Sequence, residues 1–474
     1  MNQRPLVVDL DGTLLRSDLL LETSIAFIRQ QPFQLWKPFQ WLSHGKATLK
    51  EGLAQAVDFD VSVLPYDPEV IAFIEQERAL GREIILATAS HSSLAKQVAE
   101  HLGLFDDVIA SNSTLNLAAE NKRDCLIERY GEQGFDYMGN STDDLCVWQV
   151  AQQAHVVNAS SQVEQRAKAH GNVAEVIHSN PSNWKTWLKA MRLHQWLKNA
   201  LIFVPLLAAH QLFKLDAFFI GLIAFFLFGL CASSVYLLND ILDLADDRHH
   251  ASKRNRPFAS GKLSIRDGLI AFPILLVSAF VLAICFLPWS FVGALAGYYA
   301  LTLAYSLFLK RYMAVDVIAL AMLYTMRIIA GAAALALPLT FWILAFSMFI
   351  FLSLALVKRY AELLEARNKG EHEQTRGRGY YPVDLEMISS LGAASGYLSV
   401  MVLALYIYDQ STVQLYQYAH IIWLACPLLL FWITRIWMLT HRGAMHEDPV
   451  VFASHDRTSL IVGALFLLTF WVAI

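Results

Sequence analysis

At 474 residues the chain has room for two or three domains, and 56% of it is hydrophobic, too much for an ordinary soluble protein. The net charge of −4 says little about partners, because residues 1–180 read as a soluble domain and the remainder is dominated by apolar runs; no nucleic-acid partner is expected. The five cysteines, Cys125, Cys146, Cys231, Cys285 and Cys426, have neither CxxC nor zinc spacing, which argues against a disulfide framework or a thiolate metal cluster.

The opening "MNQRPLVVDLDG" has no basic flank, long apolar stretch or small-residue cleavage site, so it does not read as a signal peptide, and the N-terminal domain is expected in the cytoplasm. Strand-like stretches ("PLVVDLDG", "REIILATAS", "DVIAS", "FDYMGNSTDD", "AHVVNAS") alternate with helical ones, the pattern of a parallel α/β sheet. Asp9 and Asp11 stand two apart at the end of the first strand, on one face, with Gly12 permitting a sharp exit. A carboxylate placed there can attack phosphorus while the second protonates the leaving oxygen.

"VVDLDGTL" resembles the first motif of the haloacid dehalogenase-like hydrolases. The resemblance extends over residues 5–160, with residues 18–80 as a small helical cap on a Rossmann-type sheet. It implies that Thr88 in "IILATAS" is the second-motif hydroxyl, Lys122 the charge-balancing lysine, and "GNSTDD" the fourth, metal-binding motif. Asn140 stands where that family usually has Asp, which leaves Asp144, with Asp143 as a second candidate, to join Asp9 and Asp11 around Mg2+. The resemblance thus implies a phosphatase weakened by that exchange, with a degenerate domain kept for structure or regulation as the alternative.

The domain is expected to end near residue 160. Residues 161–190, polar and then Trp-bearing ("NWKTWLKAMRLHQW"), read as linker and interfacial helix, and 191–474 as a membrane domain. Apolar runs at roughly 199–213, 217–238, 268–287, 290–309, 317–336, 341–357, 388–408, 418–439 and 458–474 suggest about nine spans, against the ~20 residues that a helix needs to cross the hydrocarbon. With the N-terminus inside, the inner loops 239–266, 310–315, 358–387 and 441–457 carry six, two, six and two Lys or Arg, and the outer connections only Lys214. That asymmetry fits a multi-pass protein of a bacterial-type inner membrane with its basic loops in the cytoplasm.

The second run ends in "NDILDLADDRHHASKRNRP". On a continued helix, steps of about 100° per residue gather Asn239, Asp240, Asp243, Asp246, Asp247 and His250 into one arc of roughly 120°. Like charges so close call for a cation, and an all-oxygen set favours Mg2+ bridging to substrate phosphates. A solvated loop is the alternative.

The spacing of Asn239, Asp240, Asp243 and Asp247 resembles the NDxxDxxxD motif of the UbiA-type prenyltransferases. "DRHHASKRNRPFASG", "QWLKN" ending at Asn199 and "YSLFLKRYMAVDV" from Tyr305 are most similar to their decaprenyl-phosphate phosphoribosyltransferase branch. The resemblance implies an all-α bundle with Mg2+ on Asn239, Asp240, Asp243 and Asp247, and a polyprenyl phosphate lipid and a diphosphate-containing donor as substrates. Candidates for holding them are Lys198, Asn199, Lys253, Arg254, Arg256, Tyr305, Lys310, Arg311, Asp316, Arg327 and Lys358, with Arg359 beside the last. Lys253, Arg254 and Arg256 favour phosphoribosyl diphosphate as donor over a prenyl diphosphate, because a doubly phosphorylated soluble donor needs more cations. Transfer of a prenyl group to a small aromatic acceptor remains the alternative; a transporter would call for repeated halves, and a tethered phosphatase for fewer spans.

Overall fold

A computed structural model describes residues 4–112, 115–179, 183–250, 252–370, 374, 378–409, 416–445 and 448–474. They form two compact units: residues 1–191 with 237–271, and residues 192–236 with 272–474.

The first unit is built on a six-stranded sheet, β1 (Leu6–Val8), β2 (Ile84–His91), β3 (Asp107–Ser111), β4 (Asp136–Gly139), β5 (Ala154–Val157) and β6 (Val173–Ile177), in the order β3-β2-β1-β4-β5-β6. Every pairing is parallel. Its central strands are largely apolar because both faces are covered: Leu6, Val8 and Leu86 enter one core, and Val7, Ile85 and Tyr137 the other. The chain reverses direction across the sheet between β1 and β4, and in such sheets ligands lie beyond the carboxyl ends of the strands at that switch. Asp9 follows β1 and Asn140 follows β4. Residues 161–177, expected to be linker, instead supply a helix (Ser161–Ala169) and the edge strand β6, whose pairing with β5 satisfies backbone that a linker would leave to water. The cap region contains helix α1 (Leu19–Gln30) and the helices Lys37–Ser43 and Lys46–Ala56.

Among the described residues seven helices are long and apolar enough to cross a membrane: Leu215–Leu242, Ile265–Phe286, Trp289–Leu307, Val315–Ala334, Phe341–Asn368, Pro382–Tyr408 and Ala419–His441. Pro449–His455 and Arg457–Ala473 make an eighth if the pair, bent by 88°, is one span. The nine expected spans therefore become seven or eight among the described residues. The difference lies mainly at 199–213. There Leu193–Phe203 is a 3-10 helix, followed only by the short Val204–Ala208 with Pro205 in its first turn, because buried Lys198 and Asn199 hold the segment to protein partners rather than to lipid.

In the second unit this 3-10 segment lies hard against Val315–Ala334. A Cβ on Gly331 would meet the carbonyl oxygen of Ile202 at 2.1 Å, so only glycine permits that approach. Gly331→Ala is expected to cost about 1–3 kcal/mol by overpacking and to lower the unfolding temperature in detergent. Gly293→Ala, where a Cβ has open space, should leave it unchanged or slightly raised.

Candidate functional site

Beyond β1 the Asp9 carboxylate is 6% exposed and its Oδ1 accepts a hydrogen bond from Lys122 Nζ at 2.7 Å. Lys122 also donates to the Tyr137 hydroxyl at 2.8 Å. Asp11 is held from two sides: Leu19 N–H, opening α1, donates to Oδ1 at 2.8 Å, and Ser90 Oγ to Oδ2 at 2.7 Å. Burial pushes Asp9 up to about 7, with Asp144 and Asp11 adding to it and Lys122 pulling the other way. Burial and the Asp18 carboxylate push Asp11 up to about 6. A carboxyl raised this far suits a group that gives and takes a proton near neutrality.

Three residues differ from expectation here. Thr88 Oγ1 is 3.5 Å from Asp11 and accepts Ser90 N–H at 3.0 Å, so Ser90 is the closer hydroxyl and Thr88 orients it. Asp144 is not available to a cation: Oδ1 accepts from Tyr137 at 2.7 Å, while Oδ2 accepts from Asn140 N at 3.0 Å and from Ser141 N and Oγ, both at 2.9 Å. It closes the turn after β4 as the reciprocal member of a capping box. The oxygen left near the switch is Asn140 Oδ1, buried and without a partner, on a side chain packed against Gly12. Asp143 is exposed. The three-carboxylate set expected for Mg2+ is therefore not assembled around Asp9. Lys50, from the cap helix Lys46–Ala56, reaches in to donate to Ala89 O at 2.5 Å and Asn116 Oδ1 at 2.8 Å. Nothing in its local sequence distinguishes it from a surface lysine.

The acidic segment, also in the first unit, is not one continued helix. Leu215–Leu242 stops and Leu244–His249 resumes, with Asp243 (φ −96°, ψ 12°) between them. Two arginines lie among its carboxylates. Arg256 Nη1 reaches Asp240 Oδ1 at 3.1 Å and Asp247 Oδ2 at 2.7 Å; Arg29 lies 3.6 Å from Asp243 and pairs with Asp246. Burial pushes Asp247 up to about 6, opposed by Arg256 and helped by Asp240. Arg256, expected to meet a donor phosphate, is thus occupied by carboxylates, whereas Lys253 and Arg254 are exposed at a 3-10 turn. Asn239 is half-buried.

These oxygens suit a divalent cation, since buried Asp240 and Asp247 already share a guanidinium and Mg2+ commonly takes only one or two carboxylates besides water and substrate phosphate. No group of three His, Cys, Asp or Glu able to hold a metal occurs among the described residues, so water and substrate phosphate would have to complete the coordination of a cation here. Asp240, Asp243 and Asp247 are the residues that would hold it.

In the second unit the expected cations divide into two sets. Lys198 Nζ donates to Asp448 Oδ2 at 2.7 Å, Lys358 lies 3.6 Å from the same oxygen, and Tyr324 donates its hydroxyl to Asp448 at 3.1 Å. Arg327 donates to Asn199 Oδ1 at 3.1 Å and Leu323 O at 2.5 Å, and lies under the rings of Tyr298, Phe228 and Tyr324 at 5.1, 5.4 and 5.7 Å. No acidic group among the described residues pairs with Arg327, and Asn199 Nδ2 is buried without a partner. An apolar cavity of about 640 Å³ is lined by Leu201, Val204, Ile328, Ile350 and Phe351 among others, and Phe351 stacks on Tyr324 at 5.0 Å.

The second set centres on Asp316, and Arg359 Nη2 within it is buried without a hydrogen-bond partner. Asp316, fully buried, accepts Tyr305 OH at 2.8 Å and Arg378 Nη1 at 3.1 Å and lies 2.8 Å from Arg359 Nε. Tyr305, Asp316 and Arg359 therefore bind each other, while Lys310 and Arg311 sit on a 3-10 turn beside them, the latter exposed. Sequence reading missed Asp448, Arg378 and Tyr324. The Asp-Pro pair opening the last apolar stretch is the one local signal for Asp448, an N-cap before a proline at the first helical position.

A parallel sheet with a DxD loop at its switch, joined to apolar helices with an acidic break, defines a multi-pass membrane enzyme carrying a hydrolase-type domain. Residues 200–457, more than half of the chain, match the UbiA prenyltransferase family, and residues 6–147 match the haloacid dehalogenase-like hydrolases. The chain belongs to the UbiA prenyltransferase family, with a haloacid dehalogenase-like domain at its N-terminus.

It is 36% identical over 472 residues to the uncharacterized protein y4nM of Sinorhizobium fredii, covering 99% of this chain and 91% of that one. To the decaprenyl-phosphate phosphoribosyltransferase of Mycobacterium tuberculosis it is 28% identical over 312 residues, 63% of this chain and 98% of that one. A UbiA homolog from Archaeoglobus fulgidus, solved bound to GPP and Mg2+, superposes with a TM-score of 0.46 at 16% identity, over 61% of this chain and 99% of that one.

Proposed function

We propose that the membrane domain transfers a phosphoribosyl group from phosphoribosyl diphosphate to a polyprenyl phosphate, and that the N-terminal domain then removes the 5-phosphate from the lipid-linked product. The observation that carries the first half is the likeness, over 98% of its length, to a decaprenyl-phosphate phosphoribosyltransferase. The second unit adds chemical support, since a lipid phosphate needs cations beside an apolar cavity. Lys198, Lys358 and the uncompensated Arg327 are such cations, and Phe351 and Tyr324 join their cluster to the cavity wall.

In the transfer an oxygen of the lipid phosphate attacks the anomeric carbon, the bond from that carbon to the diphosphate breaks, and diphosphate leaves. Mg2+ held by Asp240, Asp243 and Asp247 would offset the charge growing on the leaving group. Within the second unit, Lys198, Lys358 and Arg327 supply the kind of cations a lipid phosphate needs, and Tyr324 with Asp448 fixes the two lysines. Lys253 and Arg254, exposed beside the acidic segment, meet the donor's 5-phosphate.

For the hydrolysis, an Asp9 oxygen attacks the 5-phosphate phosphorus while Asp11 gives its proton to the departing ribose oxygen. Asp11 then takes a proton from the water that cleaves the aspartyl phosphate. Lys122 keeps Asp9 oriented and its anion balanced. Asp9 and the acidic segment lie in one compact unit, which supports passage of the product from one site to the other.

Incubating the purified protein with ribose-labelled phosphoribosyl diphosphate and polyprenyl phosphate, then extracting into organic solvent, tests the transfer. Label in the lipid phase is expected. Its absence, together with labelling of an aromatic acceptor from a prenyl diphosphate, would replace this reading with prenyl transfer.

The N-terminal domain and the basic loops are assigned to the cytoplasm of a bacterial inner membrane by the Lys and Arg count. A cysteine at position 370 should resist an impermeant reagent added to intact cells, while one at position 412, which lies outside the described residues, should react. The reverse pattern would invert the topology.

A further inference from the structure

Helix α1 touches both chemical centres of the first unit. Its first N–H, on Leu19, is bonded to Asp11, and its last turn carries Arg29. Twelve residues separate these ends by about 18 Å of helix. Glu22 and Arg29, seven residues apart, fall on one face two turns from each other. That face is turned to the acidic segment of the transferase motif.

Glu22, 3% exposed, accepts both Nη atoms of Arg248 at 2.6 and 3.0 Å, and Ser17 Oγ at 2.5 Å. Arg248 in turn donates Nε to Ala259 O at 3.0 Å, so the pair is bidentate, buried and anchored to the loop on both sides. Arg29 donates to Leu242 O at 3.2 Å, where the long helix stops, and its guanidinium faces Asp243 and Asp246. The same surface is extended by His249 with Asp60 at 3.2 Å and by Gly261 (φ +69°), where a Cβ would strike Arg16. Neither partner resembles a surface ion pair formed by chance, because Glu22 and Arg248 are both shielded from water and Arg29 ends on a helix terminus as well as on carboxylates.

We propose that α1 of the hydrolase-type domain is a working part of the transferase site, Glu22 clamping the acidic segment through Arg248 and Arg29 serving as a resident cation that a divalent metal displaces from Asp243 and Asp246. The inference rests on the reading that this segment holds the metal. Both are positioning residues, and they act in opposite senses. A guanidinium on Asp243 screens the carboxylates and competes with an incoming cation, whereas the Glu22 clamp holds the break in the geometry the cation needs. The two domains are then interdependent: the hydrolase-type domain sets how readily the transferase segment takes up metal, whether or not its own Asp9 is chemically active.

The test is Mn2+ binding to the full-length protein in detergent, followed by electron paramagnetic resonance, with the binding lost in Asp243→Asn assigned to the segment. Arg29→Gln is expected to lower the half-saturating Mn2+ concentration about 5- to 10-fold, and Arg29→Lys to stay within about 2-fold of the parent. Glu22→Gln is expected to raise it by a similar factor. Arg248→Lys, which keeps the charge but loses the bidentate contact, carries the same expectation if Glu22→Gln does not purify folded. A purely structural role for α1 would weaken binding in both directions of substitution. Unchanged or weaker binding in Arg29→Gln, with Asp243→Asn still abolishing the segment's share, overturns the inference alone. Binding that Asp243→Asn leaves intact overturns the metal reading and the inference with it.

Discussion

Asp240→Ala is expected to reduce phosphoribosyl transfer by at least about 10²-fold with the protein still inserted, since losing a charge partner of the leaving group costs about 3 kcal/mol. Asp240 is 2% exposed and shares Arg256 with Asp247 across the helix break. Its removal takes away an oxygen proposed to hold the cation and also leaves Arg256 to neutralise Asp247 alone, so both binding and alignment of a cation should suffer. Asp243→Ala should be similarly severe, because that residue forms the break itself. Label carried into the lipid phase is the measurement, normalised to protein recovered from membranes. A rate near that of the parent would remove the acidic segment from the reaction.

Asp9→Asn is expected to leave transfer intact and to abolish phosphate release, by about 10³-fold or more, so that the phosphorylated lipid accumulates. The exchange is nearly isosteric, yet an amide can neither attack phosphorus nor neutralise Lys122, whose ammonium lies 2.7 Å away in a buried pocket. Lipid products resolved by mass spectrometry, alongside inorganic phosphate released after transfer, separate the two steps. The same product distribution from both proteins would leave the domain as a structural or regulatory attachment. With Asp144 committed to four donors and Asn140 neutral, turnover by the wild-type domain should also be slow for a hydrolase of this type.

The parts legible in the chain were those governed by local pattern. Seven of the expected apolar runs became long helices because twenty or so apolar residues in succession have few other ways to satisfy their backbone in lipid. The run at 199–213 did not, although it is apolar, because the decisive residues were the polar ones at its start, Lys198 just before it and Asn199, and their partners Asp448 and Arg327 are far away in sequence. The same holds for the edge strand β6, whose partner is 154–157 rather than anything adjacent, and for Asp144, which reads as a metal ligand by position and is filled by donors only the folded turn supplies.

Among the charged residues the division is sharper. Amino-acid order alone determined that Asp9 and Asp11 end a buried strand and that Asn239, Asp240, Asp243 and Asp247 recur at helical spacing, since both depend on rise and pitch over a few residues. Which cations meet those carboxylates was decided by tertiary structure. Arg256 turned out to bind Asp240 and Asp247, Arg359 and Arg378 closed on Asp316, and Arg29, in a helix more than two hundred residues earlier in the chain, came to Asp243 and Asp246. An ion pair is set by distance in space between flexible side chains, and no periodicity of the chain encodes that distance.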